Sequence, residues 1–258
     1  MVAQAPDGTG AEIVEQLAEI GYDYIELSLA HLMALPEAQF QALAGRVRRS
    51  GILCEACNNF FPPRVRLTGS QVDWTQVQTY TTAAIERAAS LGVRVIVFGS
   101  SGAKNVPEGF PKDRAWEQIV EVLRMAGPLA GEHGIIIAIE PLNKRESNIV
   151  NTVAEGLNLA RQVGSPHVRL LVDYYHLALE EEDPAIVAAA RDQVAHVHFA
   201  RVEGRSFPTT IEAGYESFFA HLRSIAYEGR VSVEAYSQNF RPEAVQALAV
   251  LRRLAQGQ

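Results

Sequence analysis

The feature that most constrains the fold is a regular alternation of short apolar runs with longer amphipathic segments along the chain. Seven apolar runs predict strands, at Tyr24–Leu27, Ile52–Glu55, Val93–Phe98, Ile135–Ile139, Val168–Val172, Val194–His198 and Val231–Glu234. These runs are rich in β-branched residues and nearly continuous in apolar character. Such runs are typical of parallel strands that are buried on both faces.

Eight amphipathic segments predict helices, at Gly10–Ile20, Glu37–Ser50, Asp73–Leu91, Asp113–His133, Thr152–Val163, Pro184–Ala190, Tyr215–Tyr227 and Pro242–Ala255. Asp73 is a candidate N-cap, and Pro184 would occupy a first helical position after Asp183. A glycine stands at six helix-to-strand junctions, namely Gly21, Gly51, Gly92, Gly134, Gly164 and Gly229. Glycine favours the positive φ that often ends a helix, so these junctions indicate repeated strand–helix units.

Eight helices require an eighth strand before the first of them, where Met1–Ala5 would supply a short stub. Eight such units close most naturally into a single α/β (β/α)₈ TIM barrel. No dinucleotide-type G-x-G-x-x-G motif opens a helix, which argues against an open doubly wound sheet. No linker or low-complexity run divides the chain, so we expect one domain over residues 1–258.

The charge balance limits the partners that the chain can bind. It has 23 Lys and Arg against 30 Asp and Glu, a net charge of -7, and no basic run, which argues against nucleic acid. No apolar stretch is long enough for a membrane helix, and no secretory signal opens the chain. Cys54 and Cys57 are expected to be reduced thiols at a buried strand end, in a cytoplasmic protein.

Polar residues end four successive predicted strands, the fifth to the eighth: Glu140, Asp173, His198 and Glu234. Any one of them alone is better explained as a helix N-cap or a solvated loop residue. Adjacent strands lie about 4.8 Å apart, so four such side chains can converge, and active sites of these barrels lie at this end. Three converging carboxylates would repel one another without a cation. We therefore expect one divalent metal ion, with Mn²⁺ favoured and Mg²⁺ or Co²⁺ as alternatives.

Several segments around these residues resemble the sugar isomerase/epimerase family with the xylose-isomerase-like barrel. The segments are Glu140-Pro-Leu-Asn-Lys-Arg-Glu146, Val172-Asp-Tyr-Tyr-His176, His196-Val-His198 with Gly204-Arg205 and Pro208, Val233-Glu234, Gly21-Tyr-Asp-Tyr-Ile-Glu26 and Glu55-Ala-Cys-Asn-Asn-Phe-Phe-Pro62. The family includes ketose 3-epimerases, hydroxypyruvate isomerase and inosose-processing enzymes. The resemblance covers essentially the whole chain, and the Glu-Pro-Leu-Asn stretch and the Asp-x-x-His pair are its most specific parts.

The resemblance implies roles for seven residues. It implies metal binding by Glu140, Asp173, His198 and Glu234, with Glu140 and Glu234 as the proton-transferring pair. It implies substrate contact by Glu146, His176 and Arg205, whereas His196 matches a position that is not a ligand. The family's first strand usually shapes the pocket, and here only the stub before Pro6 stands in that place.

The favoured function is a metal-dependent isomerase or epimerase that moves a proton beside the carbonyl of a ketose or small hydroxy-ketone, through an enediolate. A lyase on the same site is the alternative, either an inosose dehydratase or a 3-keto-C-glycoside deglycosidase. An endonuclease-IV-like repair nuclease is less favoured, because the first four strand ends offer no histidine cluster. The sequence leaves a homo-oligomer open. The loops 58–67 and 100–110 are expected to set the size of the pocket, and the second is expected to be flexible enough for a pocket wall or a lid.

Overall fold

The computed structural model describes residues 5–257. Within this range seven parallel strands form one sheet in sequence order: β1 (Tyr24–Ser28), β2 (Leu53–Asn58), β3 (Val95–Phe98), β4 (Ile136–Ile139), β5 (Val168–Asp173), β6 (Val194–Phe199) and β7 (Arg230–Val233). The sheet curls into a nearly closed barrel that helices surround. The fold is an α/β TIM barrel, which confirms the predicted fold class.

The helices of the described part are α1 (Val14–Ile20), α2 (Leu29–Ala34), α3 (Glu37–Ser50), α4 (Trp74–Ser90), α5 (Ser101–Lys104), α6 (Lys112–Glu132), α7 (Val153–Val163), α8 (Tyr174–Leu179), α9 (Ile186–Ala190), α10 (Tyr215–Ser224) and α11 (Phe240–Gln256). The eight predicted helices are present, some with shifted ends. The short helices α2 and α8 follow strands directly, and α5 follows β3 after two residues; these three helices were not predicted.

The seam of the barrel lies between β7 and β1, where the predicted first strand would stand. Residues 1–4 of that stub lie outside the described residues, and Ala5 is in a bend. A cavity lies in the seam and is lined by β1, β7, α1 and α11 residues. The hydroxyls of Tyr24 and Ser232 meet across it at 2.6 Å. Side-chain contacts therefore connect β1 to β7.

Five of the six junction glycines have a positive φ, between 66° and 94°, as predicted. Gly229 is the exception, because α10 ends at Ser224 and Ala226 takes the left-handed conformation instead, with φ 51°. A Cβ at Gly229 would collide with the ring of Tyr227, so a close approach accounts for this glycine. The predicted cap at Asp73 is present, since its Oδ1 accepts the N–H of Gln76 at 3.0 Å.

The segment 100–110 was expected to be a flexible loop, but the structure packs part of it firmly. α5 begins directly after Ser100, and Lys104 is fully buried. The hydroxyl of Thr68 donates to the carbonyls of Lys104 and Asn105 at 3.1 and 2.8 Å. The segment therefore forms a fixed wall beside the ends of β3 and β4.

Cys54 and Cys57 are free, buried thiols within β2, in agreement with the sequence analysis. In the part of the chain that the structure describes, no helix has both the length and the apolar character needed to cross a membrane.

Candidate active site

Strand register brings four predicted residues to one end of the barrel. Asp173 ends β5 and pairs in register with His198 of β6, while Glu140 and Glu234 directly follow β4 and β7. One ligand atom from each of the four lies within 4.8 Å of the others. His198 Nδ1 lies 3.0 Å from Glu140 Oε1 and 3.3 Å from Glu234 Oε2. The structure therefore places three carboxylates around the imidazole of His198.

Burial and neighbouring charges together shift the pKa values of the side chains in this cluster. Burial raises the pKa of the Asp173 carboxyl. Burial also acts to raise the pKa of Glu234, but His198 and Arg205 outweigh it and hold that pKa at about 2. Burial acts to lower the pKa of His198, yet the carboxylates of Glu26, Glu234 and Glu140 raise it well above its usual value. The cluster thus strongly favours positive charge at its centre.

The donor set fits a divalent ion. Asp173 uses Oδ1 to cap α8, accepting the N–H of Tyr175 at 2.8 Å, while Oδ2 is buried without a hydrogen-bond partner in the described structure. Gly99 has no side chain where Glu140 Oε2 passes, and a Cβ there would collide with that oxygen. Three oxygens and one nitrogen suit a hard to borderline ion. The buried cluster is consistent with a divalent metal site.

The three residues predicted to contact substrate border the cluster. Arg205 donates to Glu234, and its Nη atoms lie 3.5 Å from Asp173 Oδ2 and 3.6 Å from Glu146 Oε1. Its guanidinium carbon lies 4.8 Å from the ring centroid of Tyr175. His176 Nε2 lies 3.4 Å from Asp173 Oδ2. The structure therefore brings all seven predicted residues into one continuous group.

Asn143 orients two of these residues and was not assigned a role from the sequence. Its Nδ2 donates to Glu146 Oε1 at 2.9 Å and lies 2.8 Å from His176 Nδ1, which also faces the backbone N–H of Asn143 at 3.3 Å. With Nδ1 as an acceptor, His176 carries its proton on Nε2, which has no hydrogen-bond partner within residues 5–257. Asn143 lies in the Glu-Pro-Leu-Asn stretch, so the motif itself was the available signal.

Further residues that the sequence analysis passed over lie against the cluster. Asn58 donates to Glu234 Oε1 at 3.1 Å, and Lys104 donates to the carbonyl of Glu140 at 3.1 Å. Burial lowers the pKa of Lys104 to about 8. Glu26 of β1 contacts His198 from the other side of its ring, at 2.9 Å. Its signal was the alternation of β1, which directs Tyr24, Glu26 and Ser28 to the same face.

Comparison with known proteins decides the family. Residues 14–254 match the family described as xylose isomerase-like TIM barrel. The chain belongs to this family. That assignment confirms the resemblance that the sequence motifs indicated.

Distant relatives within the family are ketose 3-epimerases. The chain is 25% identical to D-psicose 3-epimerase of Agrobacterium fabrum over 230 residues, which cover 86% of this chain and 78% of the relative. It is 29% identical to L-ribulose 3-epimerase of a Methylomonas species over 244 residues, with 92% and 82% covered. A crystal structure of D-psicose 3-epimerase with D-tagatose from Clostridium cellulolyticum superposes with a TM-score of 0.83 at 20% identity, covering 95% and 93%. This last likeness concerns the fold alone.

Proposed function

We propose that this protein is a metal-dependent epimerase that inverts the carbon beside the carbonyl of a ketose, in the manner of a ketose 3-epimerase. One observation carries the proposal. Glu140 and Glu234 reach the same buried imidazole from β4 and β7, two strand ends that β5 and β6 separate. Two carboxylates that approach one point from different sides can exchange protons with both faces of a substrate carbon.

We assign the metal to Glu140, Asp173, His198 and Glu234, with Mn²⁺ as the favoured ion and Mg²⁺ or Co²⁺ as alternatives. Asp173 Oδ2, which has no hydrogen bond in the described residues, and the space that Gly99 leaves for Glu140 Oε2 support this assignment. When bound, the ion would supply Lewis-acid stabilisation of the negative charge that develops on the substrate oxygens.

The chain's own carboxylates carry the proton. Arg205 and His198 hold Glu234 ionised, so Glu234 can accept a proton from the carbon beside the carbonyl. Asn58 fixes the other oxygen of the same carboxylate at 3.1 Å. In the proposed reaction Glu140 takes a proton from solvent and delivers it to the opposite face, while Glu234 returns its captured proton to solvent. The reverse reaction exchanges the two roles. Removal on one face and return on the other inverts the carbon.

Glu146, His176 and Arg205 are proposed to bind the sugar hydroxyls. His176 Nε2 and Arg205 Nε are buried N–H groups without a hydrogen-bond partner in the described residues, so a sugar hydroxyl could accept from them. The charge of Arg205 is already matched by Glu234, Asp173 and Glu146. This balance favours a neutral ketose over a phosphate ester, because a phosphate would add negative charge to an acidic site.

A product screen tests the proposal. The Mn²⁺-loaded protein is incubated with free ketoses, hydroxypyruvate, inososes and 3-keto-glycosides, and the products are separated by chromatography. We expect the 3-epimer of at least one ketose, with activity lost in a chelator and restored by Mn²⁺. Dehydration of an inosose or release of an aglycone, without epimer formation, would instead identify a lyase. Isomerisation of hydroxypyruvate alone would identify an aldose–ketose type of isomerase.

The structure gives no support to the nuclease alternative. The ends of the described strands β1, β2 and β3 carry Ser28, Asn58 and Phe98, so no histidine from these three ends joins the cluster. The net charge of -7 also disfavours a polyanionic substrate.

A further inference from the structure

We infer that Glu26 is a positioning residue that fixes the metal-binding tautomer of His198, an inference that rests on the proposed metal-dependent function. Glu26 lies on β1, outside the set of strand ends β4 to β7 that supplies the proposed ligands. Its side chain is only 8% exposed. It reaches His198 from the side of the ring opposite to the carboxylates of Glu140 and Glu234.

The two nitrogens of His198 have separate partners. Nε2 lies 2.9 Å from Glu26 Oε1, whereas Nδ1 lies 3.0 Å from Glu140 Oε1. An ionised carboxylate can accept hydrogen bonds but cannot donate them. Glu26 therefore holds the proton of His198 on Nε2. Once a cation replaces the proton on Nδ1, the Nδ1 lone pair is available to a metal among Glu140, Asp173 and Glu234. Carboxylate–histidine–metal arrangements of this kind fix both the tautomer and the orientation of the ring.

The other oxygen of Glu26 is held by two further donors. Oε2 lies 3.0 Å from His196 Nε2 and accepts the hydroxyl of Ser232 at 2.6 Å. Tyr24 in turn lies 2.6 Å from the Ser232 hydroxyl, so this oxygen is supported through a chain of hydrogen bonds. Neither His196 nor His198 is exposed to solvent. A side chain fixed at both oxygens can hold His198 with little freedom.

A carboxamide could not replace this carboxylate. Glutamine has one acceptor oxygen and one donor nitrogen, whereas all three neighbours of Glu26 act as donors. If the amide nitrogen faced His198, the imidazole would move its proton to Nδ1 and lose its free lone pair there. If the amide nitrogen faced His196 and Ser232, donors would confront one another in a buried position, which costs free energy.

A second metal ion is the competing explanation for the same residues. Ligand atoms of Glu26, His196 and His198 also lie within 4.8 Å of one another. That ion would need the Nε2 lone pair of His198 and would displace the three hydrogen bonds that Glu26 accepts. Because those bonds already satisfy both carboxylate oxygens, the geometry favours support for one metal over a second site.

The test compares Glu26→Gln with the wild type and with Glu55→Gln, a control on the neighbouring strand whose partner is Arg230. Mn²⁺ affinity and stoichiometry are measured by calorimetry on metal-free protein. His198 protonation is read from ¹H–¹⁵N spectra of histidine-labelled protein loaded with Mg²⁺. We expect one Mn²⁺ per wild-type chain, with the His198 proton on Nε2.

In Glu26→Gln we expect Mn²⁺ affinity to fall by about 10–100-fold, the range typical of lost support to a ligand, and the His198 signals to change. Glu26→Asp should recover part of the affinity, and Glu55→Gln should match the wild type. Unchanged affinity and tautomer in Glu26→Gln would overturn the inference, as would two Mn²⁺ per wild-type chain with one lost in the variant. These measurements use no substrate, so a wild type that binds Mn²⁺ but epimerises nothing would refute the proposed function alone.

Discussion

At the scale of single residues, the two oxygens of Asp173 have an observed structural role and a proposed functional role, one each. Oδ1 caps α8 through the N–H of Tyr175, and Oδ2 faces the proposed metal position without a hydrogen bond in the described structure. The ordinary explanation of a carboxylate at a strand end, an N-cap, is therefore correct for one oxygen. The convergence with Glu140 and His198 explains the other.

This division predicts the behaviour of Asp173→Asn. The asparagine oxygen can still cap α8, whereas the charge at the cluster is lost, so Mn²⁺ binding should fall at least tenfold. Because the substitution removes a buried charge, the metal-free variant should melt at or above the wild-type temperature. Asp173→Ala should lose the cap of α8 as well, so its free energy of unfolding should be about 1 kcal/mol lower than that of Asp173→Asn. Wild-type Mn²⁺ affinity in Asp173→Asn would remove Asp173 from the metal site.

For the three proposed substrate residues we expect lost activity with retained metal, in contrast to the lost metal expected for Asp173→Asn. Glu146→Gln, His176→Asn and Arg205→Lys should each lower kcat/KM at least tenfold, because each alters a group that would face sugar hydroxyls. Each protein should still hold about one Mn²⁺ per chain, because none of the three residues is a proposed metal ligand. Steady-state kinetics and elemental analysis of the same samples make the check. Loss of the metal from His176→Asn would move that residue into the ligand set.

Residue chemistry limited what the sequence could predict. Glu140, Asp173, His198 and Glu234 follow apolar runs, so their placement at strand ends could be read directly. Glu26 lies inside an apolar run, and Asn143 acts only through contacts with Glu146 and His176. Such contacts depend on the three-dimensional arrangement, which no spacing along the chain reveals.

At the scale of elements, the end of β3 leaves room for Glu140, the proposed metal ligand that follows β4. Gly99 follows β3, and a Cβ there would collide with Glu140 Oε2. Gly99→Ala should therefore displace the Glu140 carboxylate and weaken Mn²⁺ binding about tenfold or more, while circular dichroism stays that of the wild type.

The matched control is Gly45→Ala in the middle of α3, where a Cβ would meet only the flexible end of Arg49. That substitution should leave Mn²⁺ binding unchanged and stabilise the protein by about 0.5–1 kcal/mol through helix propensity. Equal Mn²⁺ affinities in Gly99→Ala and Gly45→Ala would contradict the placement of Glu140.

Element boundaries show where pattern reading succeeds and where it fails. The long periodic helices α3, α4, α6 and α7 lie within two residues of their predicted bounds. The helices α2, α5 and α8 have six residues or fewer, too few to show a helical period. Gly229 was predicted to end a helix. It instead lies so close to the ring of Tyr227 that a Cβ would collide with it, a contact that only the packing reveals.

At the scale of the whole molecule, an ion pair spans the seam of the barrel at the end opposite to the site. Arg230 of β7 donates to both oxygens of Glu55 of β2, at 2.7 and 2.9 Å, and so passes over β1. The hydrogen bonds from Arg230 lower the pKa of Glu55 below its usual 4.5. Because the folded pKa is lowered, this stabilisation is present above pH 4.5 and is lost as the pH falls through the lowered pKa.

Glu55→Gln should therefore destabilise the protein at pH 7 by about 1 kcal/mol, a modest value because Arg230 is half-exposed. Urea denaturation of both proteins from pH 7 to pH 3 makes the measurement. The difference between wild type and variant should shrink as the pH falls below 4.5. A difference that stays constant over this range would show that the ion pair contributes nothing to stability.

The architecture of the whole molecule could be predicted from the sequence, because each strand–helix unit consists of a short apolar run followed by an amphipathic segment. The identity of the proposed sugar substrate could not be predicted, since it depends on how the walls near Asn58, Lys104 and Arg205 shape the pocket. Those walls form from segments distant along the chain, such as Thr68 against Lys104. The division of the chain into one domain over residues 1–258 stays a prediction.

The most direct test of the central claim is solvent exchange during turnover. The Mn²⁺-loaded protein is given its ketose substrate in D₂O, and the product is examined by NMR and mass spectrometry. Transfer by Glu140 and Glu234 predicts one solvent deuterium at C3 of the product epimer, because the arriving proton comes from a different carboxylate than the one that took the first. An epimer that carries no solvent deuterium at any carbon would contradict the two-glutamate mechanism.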